Sequence, residues 1–234
     1  MLFMQNKNCI VSFANHRGQY MQNLARLSES LRDNFNGDFI AFTNEATIGS
    51  PLHLDVPYAF KIFAIEAAIK TGLYKNVLWL DTSCFAIQNV QPIFDEIDRE
   101  GFMFVEAGHF LGNYSTDLCL DYHGITRDEA MGIKMIGNAG VLGLNFKNEK
   151  ANEFFMRWKL SMSMGAFEGS WNNEDKSCSL DERCKGARHD MSNSSALVYK
   201  MGLTHLMKPF NTWLQYAGVF DKTIDPSIII KAQG

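Results

Sequence analysis

The stretch Lys75-Asn76-Val77-Leu78-Trp79-Leu80-Asp81-Thr82-Ser83 carries four consecutive apolar residues that stop at a carboxylate. A run of this length, closed by polar turn residues, suits a strand buried on both faces of a parallel sheet. Open α/β sheets bind their ligands outside the carboxyl ends of such strands. Asp81, with Thr82 and Ser83 beside it, therefore marks the edge where chemistry is expected. One reading has Asp81 holding a divalent cation, or a ribose hydroxyl, beside a diphosphate. The other has it capping the turn that follows.

The residues upstream repeat the same architecture. Residues 8–14 read as a first buried strand, and 15–18 as a turn. Residues 20–31 place Met21, Leu24, Leu27 and Leu31 at helical spacing, and Asn36-Gly37 breaks that helix before a second strand over 38–43. This βαβ unit sets a parallel sheet. Pro57 opens a helix over 58–70, with Phe60, Phe63, Ala64, Ala67 and Ala68 inward, which leads into the Asp81 strand. Downstream, 85–90 continues that strand or lies next to it. A helix covers 91–99 and a strand 101–105. Residues 108–122 show no period and read as a loop, 127–131 as a short helix, and 136–146 as a glycine-rich turn that becomes a strand. A long helix over 148–164 has Phe154, Phe155, Trp158 and Met162 as its inner stripe. The polar, charged segment 165–188 has no period, and a loop of this length in a compact domain is usually functional or mobile. Residues 190–201 are helical, 204–207 form a short strand, and 209–234 wrap the outside. No repeat or Pro/Ser-rich linker divides the 234 residues.

Composition narrows the class. The chain is 46% hydrophobic and 21% charged, with a formal net charge of -4. Lys and Arg are scattered, so there is no basic footprint for nucleic acid. An anionic nucleotide is still admissible, because helix N-termini or a metal can hold it. No apolar segment is long enough to span a bilayer. The polar N-terminus runs straight into a strand, so no signal peptide is expected, and a cytoplasmic location follows by default. Of the five cysteines, Cys9 and Cys84 fall in strands and read as buried thiols. Cys178 and Cys184 flank a polar loop. Pairing and a metal contribution stand as alternatives there, with free thiols favoured by the reducing default.

Three further places could carry chemistry. Asn138-Ala139-Gly140, with Gly137 before it, offers small residues for close backbone approach and one amide side chain; a bulge or tight turn is the structural alternative. His189-Asp190 opens a helix, where an anion is favoured. This pair could orient a sugar hydroxyl, or His189 could ligate a metal; the alternative is a simple N-cap carboxylate. Lys208, near His205, could meet phosphate, or it could be surface charge.

In this order the motifs resemble the GT-A nucleotide-sugar glycosyltransferases, most closely the retaining family 8 type, over roughly residues 9–210. The resemblance implies one GT-A, Rossmann-like domain over 1–234, with a mostly parallel mixed sheet flanked by helices. It implies a nucleotide-sugar-binding part at 9–145 and an acceptor-side part with a C-terminal wrap at 146–234. The implied partners are a nucleotide-sugar donor, with UDP expected, and a carbohydrate acceptor, and the implied outcome is transfer with retention. Asp190 and Asn138 take catalytic positions. Asp81, Thr82, Ser83, Ala139, Gly140, His189 and Lys208 take donor-binding ones. Asp81, Ser83 and His205 take the place of the ligands to a manganese or magnesium ion. Ser12, Ala14, Asn15 and Tyr20 are expected near the base. Lys61 is expected near phosphate or sugar, unless it is an ordinary helix-surface lysine. The chain departs from the pattern at Ser83, where the family has a second carboxylate, and at Met191, where it has a glutamine. A module that binds nucleotide or glycan without turnover is the alternative that these departures keep open.

Overall fold

The computed structural model describes residues 7–15, 17–137, 140–209, 212–216 and 227–233. In chain order, the first half comprises β1 (Lys7–Phe13), α1 (Gly18–Leu31), β2 (Asp38–Phe42), α2 (Glu45–Ile48), α3 (Phe60–Lys70), β3 (Tyr74–Leu80), β4 (Cys84–Ala86), α4 (Gln91–Glu100) and β5 (Phe102–Phe110). There follow α5 (Asp117–His123), α6 (Arg127–Ala130), β6 (Lys134–Ile136), β7 (Val141–Asn145), α7 (Glu149–Ser163), α8 (His189–Lys200), β8 (Met207–Lys208), β9 (Leu214–Tyr216) and β10 (Ile230–Ala232).

The main sheet has seven strands in the order β2-β1-β3-β7-β5-β6, with β8 paired to β5. β1 is parallel to both β2 and β3, and β8 is parallel to β5, while β7 is antiparallel to both β3 and β5. Five strands thus run one way, opposed only by β7 and β6. The connection from β1 to β2 steps to one side of β1, and the next one, through α3, crosses to the other side and ends in β3. The carboxyl ends of β1 and β3 therefore flank a topological switch point, the place where such sheets open a crevice.

Strand alternation sorts the core into two layers. Cys9, Val11, Phe13, Val77, Trp79, Phe102 and Phe104 pack with Ile62 and Ile65 of α3, Phe154 and Trp158 of α7, and Leu197 of α8. Ile10, Leu78, Leu80, Met103 and Val105 pack on the opposite face with Leu27 and Leu31 of α1 and Ile93, Phe94 and Ile97 of α4. The apolar run that ends at Asp81 is buried on both faces, as expected. A three-stranded sheet, β4-β10-β9, joins the second layer. All five cysteines are buried free thiols.

Five local readings are corrected. The strand read over 85–90 is β4, which pairs with β10 in the smaller sheet and neither continues β3 nor lies next to it. Within 108–122, β5 continues to Phe110 and α5 is a true helix: the Thr116 hydroxyl caps it by accepting from the Cys119 amide, and left-handed Gly124 ends it. Residues 204–206 form a 3-10 turn, and pairing begins only at Met207. Met21 is exposed, so the buried stripe of α1 is Leu24, Leu27 and Leu31. α3 begins at Phe60 rather than at Pro57, because Tyr58 adopts a left-handed backbone (φ 61°) that a helix cannot contain.

Gly143 of β7 lies under α4. A Cβ there would sit 2.5 Å from Ile97 Cδ1 and 2.8 Å from Met103 Cβ. Gly143→Ala should cost about 1–3 kcal/mol in chemical denaturation; an unchanged midpoint would contradict this packing.

Candidate functional site

The β3–β7 pairing runs up to the carboxylate itself, with the Asp81 amide donating to the Gly140 carbonyl at 2.9 Å. The chain then turns, as the Cys84 amide donates to the Asp81 carbonyl. The Ser83 carbonyl accepts from Arg26 Nη2 and from the Gln233 amide, both at 3.0 Å, which fixes the loop after β3. Asp81 Oδ1 accepts from the Trp79 indole at 2.7 Å and lies 3.3 Å from Lys61 Nζ. That ammonium also lies 2.9 Å from Asp190 Oδ2. Lys61 and Asp190 are buried (1% and 3% exposed), whereas the Asp81 side chain keeps 31% of its surface.

One ammonium and two carboxylates leave one net negative charge at the sheet edge. Burial pushes the Asp190 carboxyl up to about 6, against the lowering effect of Lys61. Burial disfavours the Lys61 charge too, but the two carboxylates outweigh it and hold its pKa above the ordinary value. The pieces come from three elements: Lys61 from the first turn of α3, Asp81 from the end of β3, and Asp190 from the first turn of α8. The Trp158 indole donates to the Asp190 carbonyl at 3.2 Å, which ties α8 to α7.

The cluster borders a cleft with two lobes that share Tyr58, Asp81 and Ser83. The first, about 320 Å³, is lined by Phe13, Asn15, Arg17, Gln19, Tyr20, Asn23, His53, Phe60 and Thr82. The second, about 390 Å³, is lined by His109, Gly140, Trp171, Arg188, Asp190, Met191 and Ala232. Both fall within the size range of small-ligand sites. A ribbon of rings runs beside them: His53 to Tyr58 (4.8 Å), Tyr58 to His189 (5.5 Å), and His189 to Trp171 (6.2 Å). Arg188 continues it, lying over Trp171 and Tyr114, and His109 stands 4.9 Å from Tyr114. Tyr58 and His189, which touch here, are both left-handed (φ 61° and 44°). Such strain costs about 1–3 kcal/mol per non-glycine residue and is characteristic of ligand sites.

The sequence-derived residues separate clearly. Asn15, Tyr20, Asp81, Thr82, Ser83, Gly140 and Asp190 line the cleft. Lys61 is not a surface lysine; it lies beneath the cleft as the hub of the ion cluster. Ser12 and Ala14 are fully buried and line neither lobe, because alternation along β1 turns Ser12 to the face of Ile10. Among the described residues, the Ser12 hydroxyl has no hydrogen-bond partner. His189 is buried, its Nδ1 is 2.9 Å from the Phe167 carbonyl, and burial lowers its pKa, so the ring is neutral near pH 7. Lys208 pairs with Glu96. Exposed His205 bonds the Gly202 carbonyl at 3.0 Å and lines neither lobe. Asn138 and Ala139 lie outside the described residues. Residues not anticipated from the sequence are Arg17, His53 and Tyr58 in the first lobe and His109, Trp171 and Arg188 in the second. His109, Trp171 and Arg188 lie in the segments 108–122 and 165–188, whose loop character marks them as places for an acceptor, but nothing in the sequence singles out these side chains.

The donor set permits a limited test for a divalent cation. Among the described residues, no group of three His, Cys, Asp or Glu is arranged to hold one. Asp81 Oδ1 already faces an ammonium and an indole N–H, which leaves Oδ2 with the neutral oxygens of Thr82 and Ser83. These atoms fit a cation only when diphosphate oxygens and water complete its shell.

The cluster makes two measurable claims. Lys61→Met strands two carboxylates and should cost about 3–5 kcal/mol in urea denaturation; a loss below about 1 kcal/mol would contradict it. Because Asp190 is raised from 3.8 to about 6, its contribution to stability is fully present below pH 3.8 and is lost as pH rises through about 6. The stability difference between wild type and Asp190→Asn should therefore shift by about 3 kcal/mol between these limits, favouring wild type at acid pH. A flat difference would contradict the raised value.

No protein-family model matches the sequence, and no curated protein sequence resembles it. Solved structures do resemble it. Apo mouse xyloside xylosyltransferase 1 superposes with a TM-score of 0.50 at 11% identity, over 96% of this chain and 97% of that one. The apo bifunctional glycosyltransferase WbbM gives 0.51 at 12% identity, over 99% of this chain and 46% of that one. Apo glycosyltransferase GlyE of Streptococcus pneumoniae TIGR4 gives 0.50 at 13% identity, over 97% and 54%. The chain thus spans about half the length of the last two. Identities this low speak to architecture, and the architecture is plain: this chain has the GT-A glycosyltransferase fold.

Proposed function

We propose that the chain is a glycosyltransferase of the retaining family 8 type, moving a sugar from a nucleotide-diphosphate donor, UDP-linked, to a carbohydrate acceptor. The observation that carries this reading is the Lys61–Asp81–Asp190 cluster at the junction of the two lobes, on the carboxyl edge of the sheet. The base occupies the first lobe, where Tyr20, Tyr58 and Phe60 offer ring faces and Asn15 a polar edge. The diphosphate lies along Asp81–Ser83, in the lobe that Arg17 also lines. The donor sugar then enters the second lobe beside Asp190.

The reaction breaks the anomeric C–O bond, and its electron pair leaves with the diphosphate. The acceptor hydroxyl oxygen bonds to the anomeric carbon, and its proton passes to the departing phosphate oxygen. The sugar carries positive charge in between, as in glycoside hydrolysis. Asp190, fixed by Lys61 within a dry wall, stabilises that charge without reorganising. A divalent cation bound with the diphosphate, touching Asp81 and Ser83, would supply charge against the leaving group.

A panel of nucleotide sugars with and without manganese tests the reading. A UDP-sugar should be turned over, Asp81→Ala should abolish turnover, and kcat/KM should fall about tenfold per pH unit below about 6 as Asp190 protonates. Nucleotide binding without turnover of any sugar would refute it. Equilibrium dialysis should find manganese retained only when UDP is present; tight retention by the free protein would refute the shared cation site.

A further inference from the structure

Arg188 is a cation without a carboxylate partner among the described residues. It ends the irregular segment 165–188 and lines the second lobe. Its guanidinium carbon lies 3.9 Å from the Trp171 ring centre and 4.3 Å from that of Tyr114. Nη1 donates to the carbonyls of Trp171 (2.8 Å) and Ala187 (2.9 Å). Among the described residues, Nε and Nη2 have no protein acceptor, and neither is sealed from solvent. Burial lowers the Arg188 pKa, so the protein holds this charge at a cost.

The Trp171 and Tyr114 rings and the two Nη1 hydrogen bonds hold the guanidinium in place, and the Nε–Nη2 edge left over is the fork that matches a carboxylate or phosphate in two parallel hydrogen bonds. Trp171 is 56% exposed and lines the same lobe, so it offers a rigid apolar surface against which a sugar ring can lie. His109 stands beside them, its pKa lowered by burial and by the nearby cations Arg188 and Lys185, and serves hydroxyls as a neutral ring. The first lobe contains a different basic residue, Arg17, so the diphosphate does not need Arg188.

Building on the glycosyltransferase reading, we propose that Arg188 and Trp171 form an acceptor subsite selective for an anionic saccharide, with the ring against Trp171 and the anion on the Nε–Nη2 edge of Arg188. The charged group is a carboxylate, as in a uronic acid, or a phosphate.

Calorimetry and saturation-transfer NMR test this with methyl β-glucuronide, methyl glucoside 6-phosphate and neutral methyl β-glucoside, and with UDP titrated separately. Wild type should bind at least one anionic glycoside about tenfold or more tightly than the neutral one, and whichever is preferred identifies the anion. Arg188→Gln should erase the preference and leave UDP affinity within about twofold. Trp171→Ala should weaken all three glycosides, the anionic ones at least as much as the neutral one, because the ring also holds the Arg188 guanidinium in place. Arg188→Lys keeps the charge without the fork and should lose most of the preference, which covers the case in which Arg188→Gln fails to fold. Equal binding of charged and neutral glycosides, no binding by about 20 mM, or a preference that survives Arg188→Gln would overturn the proposal. So would a tenfold loss of UDP affinity in that variant, since it would assign the guanidinium to the donor diphosphate. If wild type binds the anionic glycosides but no nucleotide, the donor reading fails and the subsite stands.

Discussion

A buried ammonium held between two carboxylates is the constraint on which the cleft depends. Removing a lysine and an aspartate from water is expensive, and the expense is recovered only while the partners stay within hydrogen-bond reach. Lys61, Asp81 and Asp190 come from α3, β3 and α8, so the ion cluster ties three elements that the apolar layers alone would allow to slide. One carboxylate, Asp81, keeps about a third of its surface in solvent. The cluster therefore offers a ligand one fixed acceptor and a residual negative charge, against a wall that excludes water.

This arrangement changes the meaning of Ser83. Beside a familiar motif, a serine there looks like a lost metal ligand. In the fold, part of the positive charge that a metal would bring to Asp81 is already present as Lys61. The strained Tyr58 and His189 fit the same picture. Their left-handed backbones bring two rings together beside the cleft, and from there the ribbon of rings runs on to Trp171, with Arg188 linking it to Tyr114.

Much of the architecture was legible because it depends on short-range pattern. The apolar run ending at Asp81, the βαβ unit over β1, α1 and β2, and the Phe154–Met162 stripe of α7 are periodicities within one element. What failed depended on partners far along the chain. Lys61 is expected near phosphate or sugar, but its burial as the hub between Asp81 and Asp190 is invisible within its own helix, because one partner stands at the start of α8. Ser12 was placed near the base by its position at a strand end, and the two-residue alternation of β1 turned it inward. α5 was missed even though its Thr116 cap and Gly124 stop are visible in the sequence. The β4-β10-β9 sheet was not visible, since three-residue strands carry no periodicity. Trp171 and Arg188 reached the cleft through a loop whose course is set by tertiary contacts alone.

A crystal structure with UDP bound tests the central claim most directly. The base should lie in the lobe of Tyr20 and Tyr58 and the diphosphate beside Asp81 and Ser83, with the Lys61–Asp190 pair intact beneath them. Nucleotide bound elsewhere, or a cleft that remains empty under saturating UDP, would contradict it.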